Sequence, residues 1–119
     1  MIATRILLTL AVVLLVAGGT TSCVSSTAKN TVSEAEISFD GAKKYYKKNQ
    51  FEGAAAAFSQ FVEDYADSPL VESALYYQGR SLAGMGEKDK AILVFERIVK
   101  NGKEFNDLAS KQLEKLTAE

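Results

Sequence analysis

The sequence predicts an all-α fold built from antiparallel helix pairs. Three observations support this prediction. Apolar side chains recur at the three- and four-residue spacing of an amphipathic helix through residues 33–119. Capping, glycine and proline signals divide this stretch into five segments of helical length. The second pair of segments also repeats the first at a fixed offset. Residues 33–119 are therefore predicted to form one helical domain.

The first two predicted helices have clear boundaries. Ser33 and Glu36 form a capping box, in which each side chain can bind the other residue's backbone N–H. The first helix is expected to end near Asn49, a residue that tolerates the left-handed conformation found at helix ends. The second helix begins at Phe51, and its apolar face contains Phe51, Ala54, Ala55, Phe58, Phe61, Val62 and Tyr65.

Three further helices are predicted. Ser68 is expected to cap the third, with Pro69 at its first helical position. This helix ends at Gly84-Met85-Gly86, and the fourth runs from about Lys88 to Gly102. The buried face of the fourth helix is predicted to contain Ala91, Ile92, Val94, Phe95, Ile98 and Val99. The fifth helix follows Asn106 and is expected to cap the domain with Leu108, Ala109, Leu113 and Leu116.

The second helix pair matches the first at an offset of 37 residues, since 91 − 54 = 95 − 58 = 79 − 42 = 37. In this pattern the sequence resembles the tetratricopeptide repeat family, whose antiparallel helix pairs stack into a right-handed solenoid. The domain would then contain two repeats and a C-terminal capping helix. The resemblance implies a repeat core formed by Ala42, Tyr45, Ala54, Phe58, Gly79, Leu82, Ala91 and Phe95.

The same resemblance implies a partner-binding groove, because the first helix of each repeat lines a concave surface in this family. The implied groove residues are Phe39, Lys43, Tyr46 and Lys47 from the first repeat, and Tyr76 and Arg80 from the second. Aromatic and arginine side chains are favoured at protein contacts. We therefore expect a basic, aromatic surface that binds a protein or peptide segment. The alternative is a charged face that is only solvated.

The N-terminal residues have the pattern of a secretory signal. Residues 6–17 form an apolar stretch after Arg5, and small residues follow it. These twelve residues are too few to span a hydrocarbon core about 30 Å thick. With Thr21-Ser22 before Cys23, the segment resembles a bacterial lipoprotein signal peptide. The resemblance implies that residues 1–22 are removed, that Cys23 is lipidated, and that residues 23–32 form a flexible tether. An ordinary signal peptide cut nearby and an uncleaved anchor are the alternatives.

Composition argues against catalysis and nucleic-acid binding. The chain has no histidine and one cysteine, so it lacks the ligand spacing of zinc or haem sites and an ordinary base for a thiolate. We therefore predict a non-enzyme without metal or cofactor. Residues 23–119 carry 13 basic and 15 acidic side chains, a net charge of 13 − 15 = −2. Nucleic-acid binders usually carry excess positive charge.

The segment FSQFVEDYADSPLVESALYYQG, residues 58–79, is similar to the repeats of two kinds of envelope protein. These are the outer-membrane β-barrel assembly lipoproteins and the Tol–Pal coordinators. The resemblance implies an interaction scaffold attached by its lipid to the bacterial outer membrane, facing the periplasm, with another envelope protein as its partner. The alternatives are a structural lipoprotein that associates with copies of itself and an accessory subunit of a peptidoglycan-associated enzyme.

Overall fold

The structure, a computed structural model, describes residues 32–118. Of these residues, 33–118 belong to one compact unit. Cys23, the predicted signal peptide and nearly all of the predicted tether lie outside the described residues. The described part of the chain contains helices and turns and no strand, which confirms the all-α prediction. The helices are α1 (Glu34–Lys47), α2 (Phe51–Asp64), α3 (Val71–Gly84), α4 (Lys88–Asn101) and α5 (Asn106–Thr117).

The ends of α1 and α3 follow from local chemistry. At the start of α1 the Ser33 hydroxyl accepts a hydrogen bond from the Glu36 N–H, and the Glu36 carboxylate accepts one from the Ser33 N–H. The predicted capping box is therefore present. After α1 the backbone turns through Asn49, which has a φ of 59°. Gly86, with a φ of 82°, has the same role after α3. Both residue types accept the left-handed conformation at low cost.

The predicted start of α3 was wrong by two residues. The helix begins at Val71, not at Pro69. Ser68 does act as a cap, because its Oγ accepts a hydrogen bond from the Leu70 N–H at 3.2 Å. The Val71 N–H donates to the Ser68 carbonyl three residues earlier. The serine therefore caps a tight turn at residues 68–71, and this turn leads into the helix.

Each helix packs against the next one in the chain, and α1 also contacts α3. The pairs α1–α2 and α3–α4 are thus neighbours, with their first helices side by side. This packing of adjacent helices agrees with the predicted helix-pair repeats. It brings side chains of α1 and α3 together on one surface of the domain.

Most of the predicted repeat core is buried. Ala54, Phe58, Ala91 and Phe95 are all fully inaccessible to solvent, and Ala42 is 1% exposed. Gly79 is buried, while Leu82 is partly buried against this core. The small residues serve close approach: a Cβ at Gly79 would lie 2.8 Å from the Phe95 ring. The repeat register predicted from the sequence therefore identifies the packed face of α1 to α4.

Three predicted apolar positions are instead exposed: Tyr45 by 47%, Val99 by 38% and Leu108 by 43%. The ring of Tyr45 lies over Gly53, where a Cβ would be 2.9 Å from Tyr45 Cδ1, and so one of its faces is covered. Among residues 32–118, no helix precedes α1 that could cover the other face of the ring. Val99 follows the buried Ile98 and is rotated about 100° away from it around α4. That rotation turns Val99 toward solvent.

Candidate protein-binding site

A layer of aromatic rings joins α1 to α3, with Tyr77 at its centre. The Tyr77 ring stacks on Phe58 with a centroid distance of 5.5 Å and an interplanar angle of 14°. It also meets the rings of Tyr46 and Phe39 edge-on, at 5.1 Å and 6.3 Å. Such offset and edge-on pairs are the favoured arrangements of aromatic rings. Tyr76 was predicted from the sequence and Tyr77 was not, although Tyr77 makes the ring–ring contacts between α1 and α3.

Two cations lie over this aromatic layer. Lys43 Nζ is 5.6 Å from the centre of the Phe39 ring and 6.0 Å from that of Tyr77. The Arg80 guanidinium carbon is 5.7 Å from the centre of the Tyr46 ring and 5.9 Å from that of Tyr76. Each cation therefore contacts one ring on its own helix, one turn earlier, and one ring on the neighbouring helix. These distances are within the range of cation–π attraction, which holds both side chains on the α1–α3 surface.

Neither cation is neutralised by a carboxylate of the described residues. Within residues 32–118 the one ion pair shorter than 4 Å joins Lys90 Nζ to a Glu87 carboxylate oxygen, at 3.6 Å. Arg80 is exposed, and a guanidinium has five N–H donors in a fixed fork. Its donors are therefore available to an incoming carboxylate, while its flat face rests on tyrosine.

A cleft of about 340 Å³ lies beside Arg80. We call it the cationic cleft, because Arg80 and Lys115 are its charged residues. Helix α5 supplies part of the lining, so it contributes to a surface and does more than cap the domain, which the sequence analysis did not predict. The volume is at the small end of the range for ligand pockets and suits one or two side chains. The lining residues are Tyr46, Phe51, Arg80, Ala83, Gly84, Gln112, Lys115 and Leu116.

The predicted groove residues divide into two groups. Lys43, Tyr46 and Arg80 come together as described above, and Lys47 is exposed on α1 outside the cleft lining. Phe39 and Tyr76, by contrast, are only 7% and 8% exposed. Their rings lie beneath the cations and belong to the core, so they are not accessible as contact residues. Periodicity alone could not separate these groups, because residues of the core and of the surface follow each other on the same helix face.

Two other features, a metal-binding cluster and a membrane-spanning helix, are not found among the described residues. Among residues 32–118, no three His, Cys, Asp or Glu side chains are close enough together to hold a metal ion. None of the five helices has the length and apolarity required to cross a bilayer.

The family model described as tetratricopeptide repeat matches residues 40–68 and 73–101. No curated protein matches the chain. The first match covers most of the α1–α2 pair and the second most of the α3–α4 pair. Repeat register, helix packing and family match thus agree that the two helix pairs are tetratricopeptide repeats, which the additional helix α5 follows.

Proposed function

We propose that this chain is a lipid-anchored scaffold of the bacterial cell envelope that holds an acidic segment of a partner protein in the cationic cleft. The tetratricopeptide repeats suggest a protein–protein interaction scaffold. One observation carries the proposal: the Arg80 guanidinium packs on Tyr46 and Tyr76, and it has no carboxylate partner among residues 32–118.

The chemistry of the cleft favours a carboxylate attached to an apolar stem. Arg80 can donate two parallel hydrogen bonds to one carboxylate, an arrangement stronger than a neutral pair. Lys115 of α5 adds a second positive charge to the lining, and Phe51 and Leu116 add apolar contact. A glutamate or aspartate side chain within an extended segment matches these features. Because the tyrosines already order the guanidinium, little side-chain entropy is lost on binding.

The proposed location depends on the sequence of residues 1–23. We propose that the signal peptide is removed before Cys23 and that lipid at Cys23 attaches the protein to the outer membrane, with the domain in the periplasm. In this proposal the lipid holds the protein at the membrane, and the cleft determines which partner it binds. From the resemblance of residues 58–79 to the repeats of envelope proteins, we propose a role in outer-membrane protein assembly or Tol–Pal-type envelope maintenance.

The cleft is tested by charge reversal. The chain is tagged at its C terminus, cross-linked in intact envelopes and purified, and its partners are identified by mass spectrometry. We expect Arg80→Glu to lose the partner that the unsubstituted chain retains, with an unchanged far-ultraviolet spectrum and a melting temperature lowered only by the loss of its two cation–π contacts. The matched control is Lys100→Glu, an exposed residue of α4, which should retain the partner. Retention by Arg80→Glu would place the binding surface elsewhere.

The lipid anchor is tested separately. In cells given a labelled fatty acid, the unsubstituted chain should acquire the label, and Cys23→Ala should not. The Cys23→Ala product should also keep its signal peptide or leave the membrane fraction. Incorporation of the label into Cys23→Ala would contradict lipidation at this residue and would leave the cleft proposal unaffected.

A further inference from the structure

The outer face of α1 is unusually apolar for the end of a repeat domain. Ile37 is 61% exposed and Tyr45 47% exposed, and Gly41 lies between them, one helical turn from each. A Cβ at Gly41 would meet no atom within 4 Å, so packing within the domain does not require this glycine. Terminal units of helical repeats normally present a polar outer face. This face therefore has the shape of a contact surface, with a notch between two apolar side chains.

Charge is divided along the same helix. The N-terminal half of α1 contains Glu34, Glu36 and Asp40, and the C-terminal half contains Lys43, Lys44 and Lys47, with Lys48 directly after it. Positions 34, 37, 41, 44 and 48 are spaced by three and four residues, so they form one stripe along the helix. Glu34 and Lys48 end this stripe, and both are exposed. The apolar notch is thus bordered by opposite charges at its two ends.

We propose that this face binds α1 of a second copy of the chain, with the two helices antiparallel and crossing at Gly41. In that arrangement residue i of one copy faces residue 82 − i of the other. Ile37 then meets Tyr45 of the other copy, because 37 + 45 = 82. Glu34 meets Lys48, because 34 + 48 = 82. The two glycines lie at the crossing point, where the absence of side chains allows close approach of the two backbones.

Charge complementarity favours a second copy of the chain, in the antiparallel orientation, as the partner of this surface. Parallel helices would bring Glu34 beside Glu34 and Lys48 beside Lys48, which is repulsive. The antiparallel pair forms two equivalent Glu34–Lys48 contacts instead, as the two-fold symmetry of a homodimer requires. Neither residue has an ion-pair partner among residues 32–118. The surface also leaves the cationic cleft free, since Tyr46, the α1 residue that lines the cleft, is on the opposite side of α1.

The expected dimer is weak. A helix of 14 residues is about 21 Å long, and one such pair buries less area than a standard protein interface. Association should therefore depend on local concentration, and attachment of several copies to one membrane would raise it. The inference itself does not rest on the proposed function, because it depends only on residues of α1.

Cysteine cross-linking tests the geometry. The full chain is purified in mild detergent and treated with a mild oxidant at increasing protein concentration. We expect Gly41→Cys to form a disulfide-linked dimer. Ile37→Cys and Tyr45→Cys should each fail alone and should link when the two variants are mixed. Two copies of residue 37 would be about 12 Å apart along the axis, beyond the reach of a disulfide.

The controls use the same chemistry. Leu93→Cys on α4, at a site that is 67% exposed, should not dimerise above the background set by the unsubstituted chain, whose one cysteine is Cys23. Absence of a Gly41→Cys dimer at every concentration would overturn the proposal. Equal self-linking of Ile37→Cys and of the mixed pair would also overturn it, because that result requires parallel or non-specific contact.

Charge exchange provides a second test. Introduced into the Gly41→Cys chain, Glu34→Lys should lower the cross-linked fraction by about fivefold at low salt, since each substitution affects two symmetric contacts. The chain that combines Glu34→Lys with Lys48→Glu should recover the original fraction. Glu96→Lys, at an exposed position of α4, is the matched control and should change nothing. Failure of the combined variant to recover would refute the pairing of residues 34 and 48.

Discussion

Gly41 and Gly79 each lie inside a helix, and replacing each by alanine should change the stability in opposite directions. In a helix interior alanine is favoured over glycine by about 1 kcal/mol. At Gly41 the new methyl group has no neighbour within 4 Å. Gly41→Ala should therefore raise the free energy of unfolding by about 1 kcal/mol.

At Gly79 the same gain is opposed by a steric clash. The added Cβ would lie 2.8 Å from two atoms of the Phe95 ring, whereas ordinary contact begins at 3.4 Å. The ring would have to move by at least 3.4 − 2.8 = 0.6 Å. Phe95 is fully buried and packs edge-on against Tyr76, so it has no free space to enter. Overpacking of this kind costs about 1–3 kcal/mol, and the net effect of Gly79→Ala should be a loss of about 1 kcal/mol.

The assay is urea unfolding followed by far-ultraviolet circular dichroism, at a protein concentration too low for copies to associate. The two variants should differ by about 2 kcal/mol, or about 1 M in the midpoint for a slope of about 2 kcal/mol per M. If both substitutions shift the midpoint equally and in the same direction, helix propensity alone decides the result. The close contact between α3 and α4 would then have no energetic consequence.

Three further predictions concern the core, the α4–α5 connection and the terminal helix. Phe58→Ala and Phe95→Ala should each lower the free energy of unfolding by about 3–5 kcal/mol, because both rings are fully buried; an unchanged melting curve for both would contradict the repeat register. Glu72 of α3 accepts hydrogen bonds from the N–H groups of Lys103 and Phe105 in the α4–α5 connection. Glu72→Ala should therefore cost about 1–3 kcal/mol and accelerate amide exchange within residues 103–105, whereas Glu72→Gln, which retains an acceptor oxygen, should cost less. Deletion from Asn106 onward should cause aggregation on size-exclusion chromatography, and a soluble, cooperatively folding product would show that α5 is dispensable.

The sequence was sufficient where local chemistry decides the structure. The capping box at Ser33, the turn at Asn49 and the glycine at position 86 each act within a few residues, and all three were identified correctly or nearly so. The repeat register also identified Phe58 and Phe95 as core, because a residue that recurs at equivalent places in two helix pairs meets the same neighbours.

The sequence was insufficient where the burial or the contacts of a residue depend on residues far away in the chain. An apolar stripe shows which face of a helix is apolar and does not show whether another helix covers it, so Tyr45 and Val99 were assigned to the core. Tyr77 was missed because the rings that it contacts lie on other helices, α1 and α2. Glu72 was missed for the same reason: its partners, the N–H groups of Lys103 and Phe105, lie more than 30 residues away.

Those two hydrogen bonds of Glu72 have a mechanical consequence. Within residues 32–118, every other side-chain hydrogen bond joins residues at most four apart, so these are the only ones that tie one helix to a distant segment. Within the same residues, α1 and α2 meet α3 through apolar, aromatic and cation–π contacts, without side-chain hydrogen bonds. Small sliding of α1–α2 over α3 therefore breaks no side-chain hydrogen bond, while α3 is fastened to the α4–α5 connection. Under a pulling force applied to the N-terminal end of the domain, we expect α1–α2 to peel away first and α3–α5 to yield later, as two separate steps in a force–extension curve.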